Sequence, residues 1–467
     1  MGHYIVNIRN TLRRSRLLFF AIQTRWNSYL GRSVNRQIGG AAVTTALGSL
    51  VPRLIGLGRE MMVAAAFGLS GNLEAYIIAF SLVSLPVAIL LNPLQSTLIS
   101  ALTKAHTKNN GDSAGALLRG TVSVTLVGLL LFGVLVPFLP AAIRLVARGF
   151  SAQQQALVHD YVFWLIPYYL FSALNILGLG VLQARRLFAY NAIIPAVIPL
   201  SIIVFLVLFG PSQGALVLVW GLCAGTVAEY LLINIALWHK TRLLVIPGTL
   251  RVTQGLRTML LQFALFLPGT FIVAFVPVIN NGLASRIGHG AVAALSYGYR
   301  LPTIISTISV TAIGIAALPF FSSLVVARDY DKLNHSLRRW SVVLAACALI
   351  GAAGFILLSR FLVSIVFEHG AFGLAAAHIV TRIQNVYILE LPGLLVGTMA
   401  SRLLVAMGQT KIVTSVAMIS TTSYVIAAYF LVPRIGVVGI ALAGALISVL
   451  NASLLFFGVR RALQAAT

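Results

Sequence analysis

Arg53 and Arg59 stand inside an apolar run that extends from Gly39 to Gly68. A guanidinium at the centre of a bilayer costs roughly 3 kcal/mol or more, so each needs a compensating partner. The stretch from Pro52 to Glu60 reads PRLIGLGRE, placing a proline and two glycines, Gly56 and Gly58, around the pair. These residues are expected to loosen a helix beside a cavity. The planar fork of Arg takes phosphate oxygens two at a time, which the point charge of Lys does not. The chemistry expected of the segment is therefore capture of an anion within a membrane. Glu229 and Glu390 also lie in apolar runs; either can carry a coupling proton or sodium ion, and interhelical hydrogen bonding is the preferred reading. Asn280 and Asn281, beside Pro277, are expected to satisfy broken backbone rather than contact sugar.

The elements that must position these residues follow from composition. With 59% hydrophobic and 9% charged residues and a mean hydropathy of +0.97, the chain is not a soluble domain. A net charge of +24 would suggest nucleic acid in a soluble protein. Here the basic residues fall between apolar runs, which the positive-inside rule explains, and no nucleic-acid partner is expected. Cys223 and Cys347 lie in apolar segments without a CxxC, and the eight His residues are scattered, so neither a disulfide framework nor a metal site is indicated. No paired carboxylates or nucleophile triad suggest an enzyme. No GxxxxGK[ST] is present to bind ATP, and no cofactor is expected.

Runs near 20 apolar residues give about twelve spans: 40–66, 75–102, 118–138, 159–183, 188–209, 214–238, 259–284, 291–325, 341–358, 377–406, 413–432 and 437–458. Only Arg144, Arg148, Arg286, Arg360 and Arg434 fall in alternate loops, while most of the 33 Lys and Arg residues lie in the others. Both termini are accordingly expected in the cytoplasm. Residues 1–38 carry seven arginines with aromatics and too short an apolar stretch for a signal peptide. They read either as a segment lying on an anionic leaflet or as a positive tail that sets topology.

A weak repeat divides the chain. FGLSGNLEAYIIAFSL (67–82) and IGHGAVAALSYGYRLP (287–302) each precede a long span. Six spans per half, 39–238 and 259–460, imply two lobes in the same orientation around a central cavity. The basic linker 239–258 contains Pro247 and Gly248, suiting a hinge, and 461–467 is a cytoplasmic tail. The fold class is all-α and polytopic, with two pseudo-symmetric six-helix lobes.

PRLIGLGREMMVAAAFG (52–68), LEAY (73–76), ALSYGYRLPTIISTISVTAIGIAALPFFSSL (294–324), IVFEHGAFGLAAA (365–377) and AMGQTKI (406–412) together resemble the MviN/MurJ family of lipid II flippases, within the superfamily of multidrug and oligosaccharidyl-lipid exporters. The resemblance covers roughly residues 39–460. It implies an alternating-access carrier in the bacterial inner membrane, moving a polyprenyl-pyrophosphate-linked glycan outward among membrane lipids, with envelope-synthesis proteins as further partners. Arg53 and Arg59 match the family's paired first-span arginines, Glu74 the acidic residue opening the second span, and Arg300 the arginine of the eighth. Val87 and Asn92 stand where the family's second span usually has an arginine and an acidic residue, and Thr303 stands where an acidic residue follows Arg300. The family generally has fourteen spans.

Arg53, Arg59 and Arg300 are thus expected to form a phosphate clamp, with Glu74 partnering one of them in the empty carrier. A pyrophosphate carries about two negative charges. Moving them outward through the full inside-negative potential releases about 4 to 5 kcal/mol per 100 mV, at about 2.3 per charge. The membrane potential or an ion gradient can therefore supply the drive. The expected cargo is lipid II, with an exopolysaccharide or O-antigen-type unit as the alternative. A multidrug or cation antiporter of the same superfamily would keep carboxylates in its cavity, and the best-placed charges here are positive.

Overall fold

A computed structural model describes residues 34–107, 111–134, 136–248, 253–327 and 329–464. The call on residues 1–38 falls largely outside them. The described residues are helical, with no strand. In the first half the helices are α1 (Val34–Phe67), α2 (Gly71–Thr107), α3 (Gly111–Gly133), α4 (Leu139–Val146), α5 (Ala152–Trp164), α6 (Ile166–Ala184), α7 (Phe188–Ile193), α8 (Val197–Phe209) and α9 (Leu216–Thr241). In the second they are α10 (Gln254–Ala274), α11 (Val276–Ser285), α12 (Ala291–Val326), α13 (Tyr330–Val366), α14 (Leu374–Tyr387), α15 (Leu391–Ala406), α16 (Thr410–Ile435) and α17 (Val438–Gln464). Each predicted span falls on one of these helices or on consecutive ones. Ten segments of the described residues are long and apolar enough to cross a membrane, and α1 and α12 cover the first and eighth predicted spans.

Several spans are broken where proline removes a backbone donor. Pro167 opens α6, Pro277 opens α11, and Pro392 opens α15 after a short 3₁₀ turn. The expected loosening near the first-span arginines is not found: α1 runs unbroken through Pro52, Gly56 and Gly58. A lone proline inside a transmembrane helix forfeits one hydrogen bond and is tolerated.

The cores show how the halves meet. One cluster combines both halves and includes Ala147, Phe150, Ala215, Ala284, Phe367 and Phe372, all beside the loops poor in Lys. At the opposite, basic face the cores are separate. Leu98, Leu118, Val181 and Leu237 belong to the first half, while Phe321, Leu337, Leu404 and Val459 belong to the second. The halves are therefore fused at the arginine-poor face and apart at the basic face.

Backbone contacts reinforce the fused end. The Ala371 N–H donates to the Ala65 carbonyl at 2.8 Å, an approach permitted by Gly68 and Gly370, whose φ values of 51° and 57° favour glycine. Ser285 Oγ donates to the Val146 carbonyl at 2.7 Å. The two repeat-related segments also touch, at the starts of α2 and α12.

The linker differs from expectation. The Val245 N–H donates to Asn234 Oδ1 at 2.8 Å, Tyr230 Oη donates to the Val245 carbonyl at 2.7 Å, and the Gly248 N–H donates to Ser123 Oγ at 3.0 Å. Val245, Leu256 and Met259 enter the first half's core. Residues 243–248 are thus strapped to the first half rather than free as a hinge, and α10 starts there before running on against α16. Apolar residues and spare polar partners along LLVIPG outweigh the flexibility implied by its proline and glycine.

Candidate functional site

Between the halves lies a cavity of ≈ 750 Å³. Helices α1 and α2 supply one wall, and α11, α12 and α14 to α17 supply the other. Its polar centre is a triad: Arg59 and Glu60 near the end of α1, and Arg300 on α12. Glu60 Oε1 accepts from Arg59 Nη2 and lies 3.0 Å from Arg300 Nη2. One carboxylate therefore serves two guanidinium groups from opposite halves, leaving a net positive charge. The side chains of Glu60, Arg59 and Arg300 are 10%, 22% and 45% exposed. The carboxylate sits deep, and Arg300 offers most of its fork to the cavity. Tyr76, Tyr297 and Tyr299 line the same space. Guanidinium groups held by a single carboxylate retain N–H donors, and here they point at a cavity large enough for a charged headgroup.

The sequence candidates separate. Arg59 and Arg300 come together as expected. Arg53 is half-buried and does not line the cavity, because six residues along an α-helix is about one and two-thirds turns, which takes the side chain to another face. Glu74 does not pair with an arginine. It is fully buried, and its Oε1 accepts the Val292 N–H at 2.9 Å. It thus satisfies a free donor in the first turn of α12, where a negative charge also meets the positive end of the helix dipole.

Glu229 follows the preferred reading. It is buried outside the cavity, and its Oε2 accepts from Asn175 Nδ2 at 2.7 Å between α9 and α6. Glu390 departs from that reading. It lines the cavity, and among the described residues its carboxylate makes no hydrogen bond or ion pair. It occupies the space over Gly444, where a Cβ would collide with Oε1.

Asn280 and Asn281 both line the cavity. Asn280 Oδ1 accepts from Tyr424 Oη at 2.9 Å, so it ties α11 to α16 instead of satisfying the backbone break at Pro277. The side chain of Asn92 lies outside the described residues. With Glu60 and Glu390 both in the lining, the cavity carries two carboxylates beside its two arginines, correcting the expectation that its charges are positive.

Sequence reasoning missed Glu60, although an acidic residue directly after Arg59 in an apolar run was a usable signal. Tyr76 and Tyr299 gave none, since aromatics are common in such helices.

A family model described as "Lipid II flippase MurJ" matches residues 63–467. The lipid II flippase MurJ of Burkholderia cenocepacia is 26% identical over 441 residues, covering 90% of this chain and 83% of that one. Among solved structures, a lipid II flippase MurJ in an inward closed conformation aligns with a TM-score of 0.75 at 20% identity, covering 91% of this chain and 90% of that one. The inward-facing conformation of a multidrug resistance MATE family transporter of the MOP superfamily aligns at 0.76 with 15% identity, covering 91% and 98%. Both share the fold.

Proposed function

This chain belongs to the lipid II flippase MurJ family, and from that premise we propose that it carries a polyprenyl-pyrophosphate-linked glycan, lipid II itself, from the inner to the outer leaflet of the bacterial cytoplasmic membrane. The observation that carries the reading is the Arg59–Glu60–Arg300 triad, which joins opposite halves inside one cavity. The basic face is the cytoplasmic one, with both termini there. The cavity is then closed to the outside by the shared core, and the halves are apart where the cargo enters.

The pyrophosphate docks on the free N–H donors of Arg59 and Arg300, bringing about two negative charges to a site with one positive charge in excess. Glu60 keeps the arginines apart and oriented while the site is empty. Passage to the outer leaflet alternates access. The halves 39–238 and 259–460, linked by 239–258, close at the basic face, while the contacts from Ala371 to Ala65 and from Glu74 to Val292 release. The membrane potential or an ion gradient drives the charged headgroup outward.

The test is rescue of a bacterium depleted of its own lipid II flippase, with membrane expression verified for every variant. The parent and Arg53→Ala are expected to rescue, and Arg59→Ala and Arg300→Ala are expected to fail. Failure of a well-expressed parent would overturn lipid II as cargo in favour of another polyprenyl-linked glycan, while rescue by Arg300→Ala would overturn the clamp.

A further inference from the structure

Glu390 is the one cavity carboxylate that the reading above leaves unused. Burying an ionised carboxylate is costly unless it is paired, yet the described residues offer this one no hydrogen bond and no ion pair. Its surroundings suit a cation. Tyr387 and Tyr424 lie within electrostatic reach, and the Tyr299 ring stands 5.0 Å from that of Tyr387. Ring faces attract ammonium groups, and Gly444 leaves the carboxylate room that any larger residue would take. Tyr299 precedes Arg300, so the aromatic wall runs from Glu390 to the arginines within one cavity. The lining therefore has a cationic pole and an anionic pole.

We propose that Glu390 receives an ammonium group of the cargo headgroup while the pyrophosphate rests on Arg59 and Arg300, so that the cavity selects a glycolipid bearing both a pyrophosphate and a free amine. This rests on the flippase reading and narrows its substrate class. An exopolysaccharide unit without an amine would leave the carboxylate unpaired and would bind more weakly.

The experiment measures binding of two probes to the purified full chain in detergent: lipid II with a free amine in its peptide, and the same lipid with that amine acetylated. A charge-assisted contact in a partly wet cavity is expected to favour the free amine about tenfold, and Glu390→Gln, which keeps shape and removes charge, is expected to abolish the preference. Equal binding of both probes by the parent would overturn the amine site and leave the flippase reading standing. A preference that survives in Glu390→Gln would place the amine elsewhere and overturn it too. If Glu390→Gln weakens both probes equally, and the parent's binding responds to sodium or pH alone, Glu390 holds a free coupling cation and the proposal fails. Binding of neither probe by a folded parent would overturn lipid II as cargo, and the amine site with it.

Discussion

Replacing Glu60 by Gln removes the carboxylate that Arg59 and Arg300 share while keeping the side chain's size. Two effects oppose each other. The arginines lose their common partner, which costs 3 to 5 kcal/mol for a fully buried pair. Here Arg300 is 45% exposed, so screening by cavity water brings the cost to about 1 to 2 kcal/mol. The site also gains one unit of positive charge. A phosphate about 5 Å from the carboxylate is repelled by about 3 kcal/mol at an effective dielectric of 20 and by less than 1 in water. A value near 1.5 kcal/mol makes Glu60→Gln bind a pyrophosphate lipid about tenfold more tightly than the parent. The steeper loss of binding with added salt is the accompanying sign. Titration of the purified variant with the lipid at two salt concentrations reads both, and a thermal melt reads the lost stability. Transport is expected to slow, because tighter capture impedes release. Binding that is unchanged or weaker in a folded Glu60→Gln protein would refute the reasoning and make Glu60 part of the binding surface.

Glu74→Ala removes the carboxylate that caps α12 from the other half. The expected cost is about 1 to 2 kcal/mol to the arrangement closed at the arginine-poor face, read as increased labelling of cysteines introduced there. Glu229→Gln keeps the hydrogen bond with Asn175 and is expected to leave transport and its ion dependence unchanged. Glu229→Leu strands the buried amide and is expected to cost about 1 to 3 kcal/mol, seen as reduced folded yield. In the loop after α13, Arg360 Nη1 lies 2.7 Å from Glu368 Oε2, and that hydrogen bond holds the carboxyl below its ordinary value of 4.5. A depressed carboxylate stabilises the folded form above its unfolded pKa, and this is lost as pH falls through the lower folded value. Melting below pH 4.5 is thus expected to be less pH-dependent in Glu368→Gln than in the parent.

The sequence by itself determined the class, the order and the positions of the spans. Crossing a bilayer demands long apolar helices whose backbone donors are satisfied within the segment, a local requirement written directly into composition. The charge asymmetry that marks one face as basic is equally local. Arg59 and Arg300 were legible for the same reason, since a charge in an apolar run stands out wherever it folds.

What the tertiary structure decided is which partner each charge meets. Arg53 and Arg59 look equivalent in the chain, yet helical rotation puts only Arg59 in the cavity. Glu74 reads as a counter-ion but caps a helix, because the start of α2 meets the start of α12 across the fused end. Glu229 and Glu390 are alike in sequence context, and only packing gives Asn175 to the first and an open cavity to the second. The linker reads as flexible, but its apolar residues find the first half's core. Each of these outcomes depends on distance between segments far apart in the chain, and short-range hydrophobicity and spacing carry no information about such distances.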